Sequence, residues 1–265
     1  MGVWRYLQEQ GWDPDLVCGT SVGAINAAAI GSGMPLEKLM HIWATQGRRG
    51  VYRPALLDGL ARLAAGRPFR SLVDTRPLRA MLERYLDVAA LRAGRREIII
   101  TAINLVTSQL VLFDRETIGV DQVMASGAVP GIFPWQVIDG DPHWDGGVMA
   151  NTPLFPALDR GAREIVVVLL SPVGHARIEP PTRASRCAEL AFEHLLAGSY
   201  QCQRLSPPAG PHGAAPPRIL TVAPPVMLGF RSWIDFSGRH AVRLMRMGYR
   251  CAREQLAGLA PGSGH

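Results

Sequence analysis

The stretch Asp15-Leu16-Val17-Cys18-Gly19-Thr20-Ser21-Val22-Gly23-Ala24-Ile25-Asn26-Ala27-Ala28-Ala29-Ile30-Gly31 decides the fold. Asp15 to Cys18 reads as a short strand, Gly19 to Gly23 as a glycine-rich turn, and Ala24 to Ile30 as a buried helix ending at Gly31. A strand that turns within five residues into an apolar helix is the unit from which layered α/β folds are built. The turn places Ser21 at its apex. Flanking Gly19 and Gly23 avoid Cβ clashes in a sharp bend, and the helix start turns N–H groups such as that of Val22 toward any negative charge developing beside the hydroxyl. A nucleophilic serine would stand here, and the alternative is a glycine-rich strand-to-helix turn with an incidental serine.

Working outward, Val3 to Gln10 reads as a helix closed by Gly11. Residues 35–93 read as mainly helical, broken at Gly66-Arg67-Pro68, with Thr75-Arg76-Pro77 opening a helix to Leu86. Glu97 to Ile103 and Gln109 to Phe113 read as two joined strands, and Asp121 to Gly127 as a short helix. The apolar run from Glu164 to Leu170 predicts a strand buried on both faces. Ser206 to Pro217 is rich in Pro and Gly and predicts a mobile loop. Arg218 to Val222 returns to strand character, Ser237 to Leu256 is a long helix, and residues 257–265 form a frayed tail. With no repeat and no dividing linker, one α/β domain over residues 1–265 is expected.

A serine nucleophile needs a base. His194 and His240 are the histidines that could complete a Ser-Asp-His triad, but no histidine of the chain lies in a glycine-rich turn suited to a catalytic loop. The better base is Asp145, in Trp144-Asp145-Gly146-Gly147-Val148-Met149-Ala150-Asn151-Thr152-Pro153. An aspartate is ionised at neutral pH and accepts a proton directly when held against a hydroxyl. Gly146 and Gly147 let the backbone take positive φ and approach another loop closely. Between serine and aspartate lies Ala125-Ser126-Gly127-Ala128-Val129-Pro130-Gly131-Ile132-Phe133-Pro134, a compact run whose small residues suit close packing.

Composition bounds the rest. Apolar residues are 48% and charged residues 19% of the 265, which excludes wholesale disorder. The longest aliphatic run, Ile165 to Leu170, is far short of the roughly 20 residues of a membrane-spanning helix. Cys18, Cys187, Cys202 and Cys251 lie far apart with no C-x-x-C pair, which argues against a disulfide scaffold and a structural zinc. Met1 leads into a mixed helix rather than an apolar leader, so a cytoplasmic or membrane-peripheral location is expected. Net charge is +6, and Lys38 is the single lysine among 28 basic residues. No nucleic-acid motif accompanies that charge. Instead Arg239, Arg243, Arg246, Arg250 and Arg253 recur at helical spacing in one stripe of the last helix, and Val242, Met245, Tyr249, Ala252 and Leu256 form a separate apolar stripe that can face the core. Such a stripe is a solvated face or a contact for anionic lipid.

Taken together, Gly19-Thr20-Ser21-Val22-Gly23-Ala24, the run from Ala125 to Pro134, and Asp145-Gly146-Gly147 with Asn151 and Pro153 resemble the patatin-like phospholipase family. Weaker similarity runs through Asp74-Thr75-Arg76-Pro77-Leu78, Thr101-Ala102-Ile103-Asn104 and the final helix, so the likeness covers most of residues 1–256. The resemblance implies a three-layer α/β/α fold with a mainly parallel central sheet. It implies Ser21 as nucleophile and Asp145 as base in a Ser/Asp dyad, with no cofactor and no metal. It further implies hydrolysis of phospholipid or other acyl-ester lipids through an acyl-enzyme. Family members open with a strand and a Gly-rich oxyanion loop that have no counterpart ahead of Met1. A missing first strand and slow turnover are therefore expected, and the alternative is an impaired relative that binds lipid or membrane without turnover.

Overall fold

The computed structural model describes residues 1–55, 64–66, 71–174, 179–205 and 216–257. The expected mobile loop lies outside the described residues over 206–215, as do the tail over 258–265 and Arg67-Pro68 of the predicted break. The described elements are of the α/β type, and the largest sheet is mixed. The chain packs into two compact units, one of residues 1–15, 36–44 and 152–265, the other of residues 16–35 and 45–151. Each is assembled from separate segments, so no single cut in the chain divides them.

The second unit holds the five-stranded sheet. Strand β1 (Leu16–Gly19) pairs parallel with β4 (Glu97–Asn104), Gly19 lying opposite Ile100. β4 also pairs antiparallel with β5 (Gln109–Asp114) and with β7 (Asp141–Asp145), and β7 pairs antiparallel with β6 (Gln136–Ile138). β4 is the spine: Ile98, Ile99, Ile100, Thr101 and Ala102 are fully buried, as an Ile-rich run with side chains on both faces of a covered sheet should be. The β4–β5 turn is set locally, because the Asn104 side chain accepts the N–H groups of Val106 and Thr107. Helix α2 (Val22–Gly31) lies so close to the sheet that a Cβ on Gly31 would stand 2.4 Å from the Ile98 side chain. Because β1 and β7 both pair along β4, the residues that follow Gly19 and those that end β7 arrive side by side: Asp145 is opposite Ala102, two positions beyond Ile100.

Among the described residues of 35–93, helices alternate with a short ladder that was not expected. Helices α3 (Leu36–Thr45), α4 (Arg76–Tyr85) and α5 (Val88–Ala93) form. Between α3 and α4, however, β2 (Arg53–Pro54) and β3 (Val73–Asp74) make a small antiparallel ladder. Two-residue strands carry no readable period, so the pairing is a tertiary event. Pro77 opens α4 as predicted, with Thr75 at its N-cap. Helix α6 (Val120–Ser126) begins where the Gln122 side chain accepts the Gly119 N–H at 3.0 Å.

In the first unit, β8 (Glu164–Val168) pairs parallel with β9 (Arg218–Val222). The expectation of a strand buried on both faces is not met: Val168 is 49% and Leu170 50% exposed. Val167 and Leu169 point to the face that packs on Leu154, Leu158, Tyr200 and Ala223, while the alternating Val168 and Leu170 point to the other face, which looks outward. Helix α1 (Gly2–Glu9) lies along the long C-terminal helix Gly238–Gln255 at backbone distance, a Cβ on Gly2 falling within 1.8 Å of the Met245 carbonyl. Val3, Tyr6, Leu7, Cys251, Ala252 and Leu256 form their shared core.

Candidate functional site

Ser21 sits between β1 and α2 with φ 57° and ψ −125°, a region that residues other than glycine populate sparsely. The bend is as tight as glycine allows at its first flank, where a Cβ on Gly19 would lie 2.3 Å from the Gly23 carbonyl oxygen. The steric expectation for Gly23 is not met, because a Cβ there finds nothing within 4 Å. Gly23 instead leaves open ground at the start of α2. The Gly23 N–H is spent on the Thr20 carbonyl at 2.8 Å, and those of Ala24 and Ile25 on the Ser21 carbonyl. The Val22 N–H makes no hydrogen bond among the described residues. At the positive end of a ten-residue helix, it is the donor left over for an anion.

Asp145 closes β7 and is 4% exposed. Its Oδ1 accepts the Gly147 N–H at 2.7 Å, and the Ser21 side chain lies near enough to act on the carboxylate's pKa. Burial pushes its pKa up to about 6, while the Gly147 N–H and the nearby Ser21 side chain pull the other way. The glycines after it work differently from expectation. Gly146 has φ −60° and ψ −20°, and neither it nor Gly147 has a positive φ. Gly146 is needed for contact, since its Cβ would fall 2.1 Å from Thr101 Oγ1 and 2.6 Å from the Thr101 carbonyl. The close approach is therefore to strand β4 rather than to a loop. A Cβ on Gly147 would stand 3.0 Å from Asp145 Oδ1, so the Asp145-Gly146-Gly147 turn wraps its own carboxylate.

Three hydroxyls that the sequence reading did not single out hold this geometry. Thr20 Oγ1 lies 2.7 Å from Thr101 Oγ1 and donates to the Ala150 carbonyl at 2.8 Å. Ser126 Oγ accepts the Ser21 N–H at 3.0 Å. All three side chains are buried. A usable signal existed for Thr101, a lone hydroxyl within Ile98-Ile99-Ile100-Thr101-Ala102-Ile103, because a polar group in a buried strand must find a partner. The short helix α7 (Gly147–Ala150) turns Gly147 and Ala150 inward and leaves Val148 55% and Met149 44% exposed.

The histidines take no part in this cluster among the described residues: Ser21 bonds to Ser126 and lies beside Asp145. His194 is exposed. His240 does meet a serine and an aspartate, with Nε2 2.8 Å from Ser232 Oγ and Nδ1 3.9 Å from Asp235. Arg243, however, places a guanidinium N–H 3.1 Å from Nδ1. A guanidinium only donates, so Nδ1 must accept and Nε2 carries the proton. Nε2 then faces Ser232 as a donor and cannot take its proton. The five arginines of the C-terminal helix are all exposed, and among the described residues Arg239, Arg246, Arg250 and Arg253 form no ion pair. No helix of the described residues is long and apolar enough to cross a membrane, and no cluster of metal-ligating side chains occurs among them.

A family model described as Patatin-like phospholipase matches residues 1–158, a span that holds Ser21, Asp145 and the hydroxyls around them. Among solved structures the chain is similar to VipD from Legionella pneumophila, with 14% identity and a TM-score of 0.49, over 97% of this chain and 64% of that one. The chain thus spans less than two thirds of that protein's length. No curated protein matches the sequence.

Proposed function

The chain belongs to the patatin-like phospholipase family, and from that premise we propose that it is a lipid acyl hydrolase working through a Ser21/Asp145 dyad. The observation that carries the reading is the Ser21 side chain brought beside the buried Asp145 carboxylate, with the backbone N–H groups of both residues held by the 126–128 segment. Asp145 takes the hydroxyl proton as Ser21 Oγ attacks the ester carbonyl carbon. The oxygen that gains the negative charge faces the Val22 N–H and the N-terminus of α2. Collapse breaks the ester bond, the leaving alcohol takes the proton from Asp145, and the acyl group stays on Ser21. Water then gives a proton to Asp145 and attacks the acyl carbon. The fatty acid leaves and the proton returns to Ser21.

Two further features support a lipid substrate. Val148 and Met149 expose apolar side chains on the turn that follows Asp145, suited to an acyl chain. The arginine face of the C-terminal helix suits an anionic headgroup layer, since Arg binds phosphate in a bidentate way. The test is hydrolysis of a short-chain p-nitrophenyl ester and of phospholipid vesicles by wild type, Ser21→Ala and Asp145→Asn. Each substitution should lower kcat by about 10³-fold or more. Equal rates in wild type and Ser21→Ala would overturn the dyad, and vesicle binding without hydrolysis would leave a lipid-binding relative without turnover.

A further inference from the structure

Residues 126–128 touch both members of the pair. Ser126, the last residue of α6, is fully buried, and its Oγ accepts the Ser21 backbone N–H at 3.0 Å. Two residues on, the Ala128 carbonyl accepts the Asp145 backbone N–H at 3.0 Å. The segment between is itself pinned to the helix end: the Gly127 N–H bonds to the Val123 carbonyl and the Ala128 N–H to the Ala125 carbonyl. Nucleophile and base come from distant parts of the chain, yet their backbone N–H groups end on acceptors two residues apart.

We propose that Ser126 to Ala128 form a bracket that sets the distance between Ser21 and Asp145, with Ser126 a positioning residue for the hydrolysis proposed above, on which this inference rests. The physical need is plain at Ser21. Its backbone is held at positive φ, and its N–H points away from its own helix into the interior. Without the Ser126 oxygen that part-buried donor loses its acceptor, and the elbow relaxes toward an ordinary conformation. The hydroxyl then swings off the Asp145 carboxylate. Ser126 is sealed from solvent, so it contacts neither substrate nor water and acts only through Ser21. At the other end, the Ala128 carbonyl fixes the last residue of β7 before the Asp145-Gly146-Gly147 turn.

The experiment compares wild type, Ser126→Ala and Ser126→Cys by two independent measurements. The first is amide exchange by NMR, which needs no activity. The Ser21 amide should exchange at least tenfold faster in Ser126→Ala while β4 amides keep their protection. Ser126→Cys, a weak acceptor of similar size, should fall between. The second is ester hydrolysis, where Ser126→Ala should lower kcat by about 10²-fold with KM within about twofold, because the reacting geometry is lost and substrate contacts are not. The acid limb of its pH profile should also move upward, since the Ser21 side chain that lowers the Asp145 pKa is no longer held beside it. Unchanged Ser21 exchange in both variants overturns the bracket. A kcat loss in Ser126→Ala matched by an equal rise in KM overturns the positioning role. If wild type hydrolyses no ester, the dyad reading fails, while the exchange result still decides whether Ser126 holds the elbow.

Discussion

Thr20 and Thr101 meet hydroxyl to hydroxyl at 2.7 Å in the buried interior. Thr20 gives its own proton to the Ala150 carbonyl, so Thr101 must donate to Thr20. One pair of side chains thereby ties the nucleophile turn to the central strand and to the helical turn after Asp145. The two threonines are unequal partners. Thr101→Val removes a donor and leaves the Thr20–Ala150 bond in place, which should cost about 1 kcal/mol. Thr20→Val strands both the Ala150 carbonyl and the Thr101 hydroxyl and should cost about 2 kcal/mol or more. Urea unfolding of the two variants checks the order, and a larger loss for Thr101→Val would contradict it.

The glycines of the site separate in the same way. Gly19→Ala and Gly146→Ala drive a methyl group into backbone at 2.3 Å and 2.6 Å. Each should destabilise the protein by about 1–3 kcal/mol. Gly23→Ala meets open space and should leave the melting temperature unchanged or slightly raised. If a substrate oxygen occupies that space, Gly23→Ala loses hydrolysis while keeping its fold. Thermal melting and ester hydrolysis on the same three variants distinguish the cases.

Asp145 links activity and stability with opposite signs. Its pKa in the fold is about 6, above the ordinary 3.8, so the native state holds this proton more tightly than the unfolded chain does. Its contribution to stability is therefore greatest below about pH 4 and is lost as pH rises through about 6. The difference of about two pKa units corresponds to about 3 kcal/mol at neutral pH. Asp145→Asn should resist urea better than wild type near pH 7.5, with the gap closing near pH 4. The kcat/KM of wild type should climb through about pH 6 to a plateau, because only the ionised carboxylate accepts the Ser21 proton. Stability curves for the two proteins that run parallel over this range would show that Asp145 is not strained by burial.

The arginine stripe yields a binding prediction. Arg243 is engaged with His240, so the informative variant is Arg239→Gln/Arg246→Gln/Arg250→Gln. Co-sedimentation with vesicles containing anionic lipid should weaken by about 1 kcal/mol per arginine that reaches the surface, and salt should weaken wild-type binding in the same direction. Equal binding of both proteins would leave the stripe a solvated face.

Sequence alone settled what depends on neighbours along the chain. The Gly19–Gly23 turn between a strand and a helix placed Ser21 at its apex, because turn chemistry is local. The helical period placed the arginines on one exposed face of the C-terminal helix, and Pro77 and Thr75 marked the start of α4 for the same reason. Asp145 was legible as a partner through its glycines, although what those glycines do was not: Gly146 is required by Thr101 across the sheet, not by its own φ. Only the tertiary structure decided which hydroxyls answer which backbone groups. Ser126 looks like packing material in a run of small residues until α6 sets its oxygen against the Ser21 N–H. β8 looks doubly buried until the fold leaves Val168 and Leu170 exposed. The raised pKa of Asp145 belongs to this second class, since its chief cause is desolvation. That follows from the sheet and loops closing around the carboxylate, not from the residues beside it in the chain.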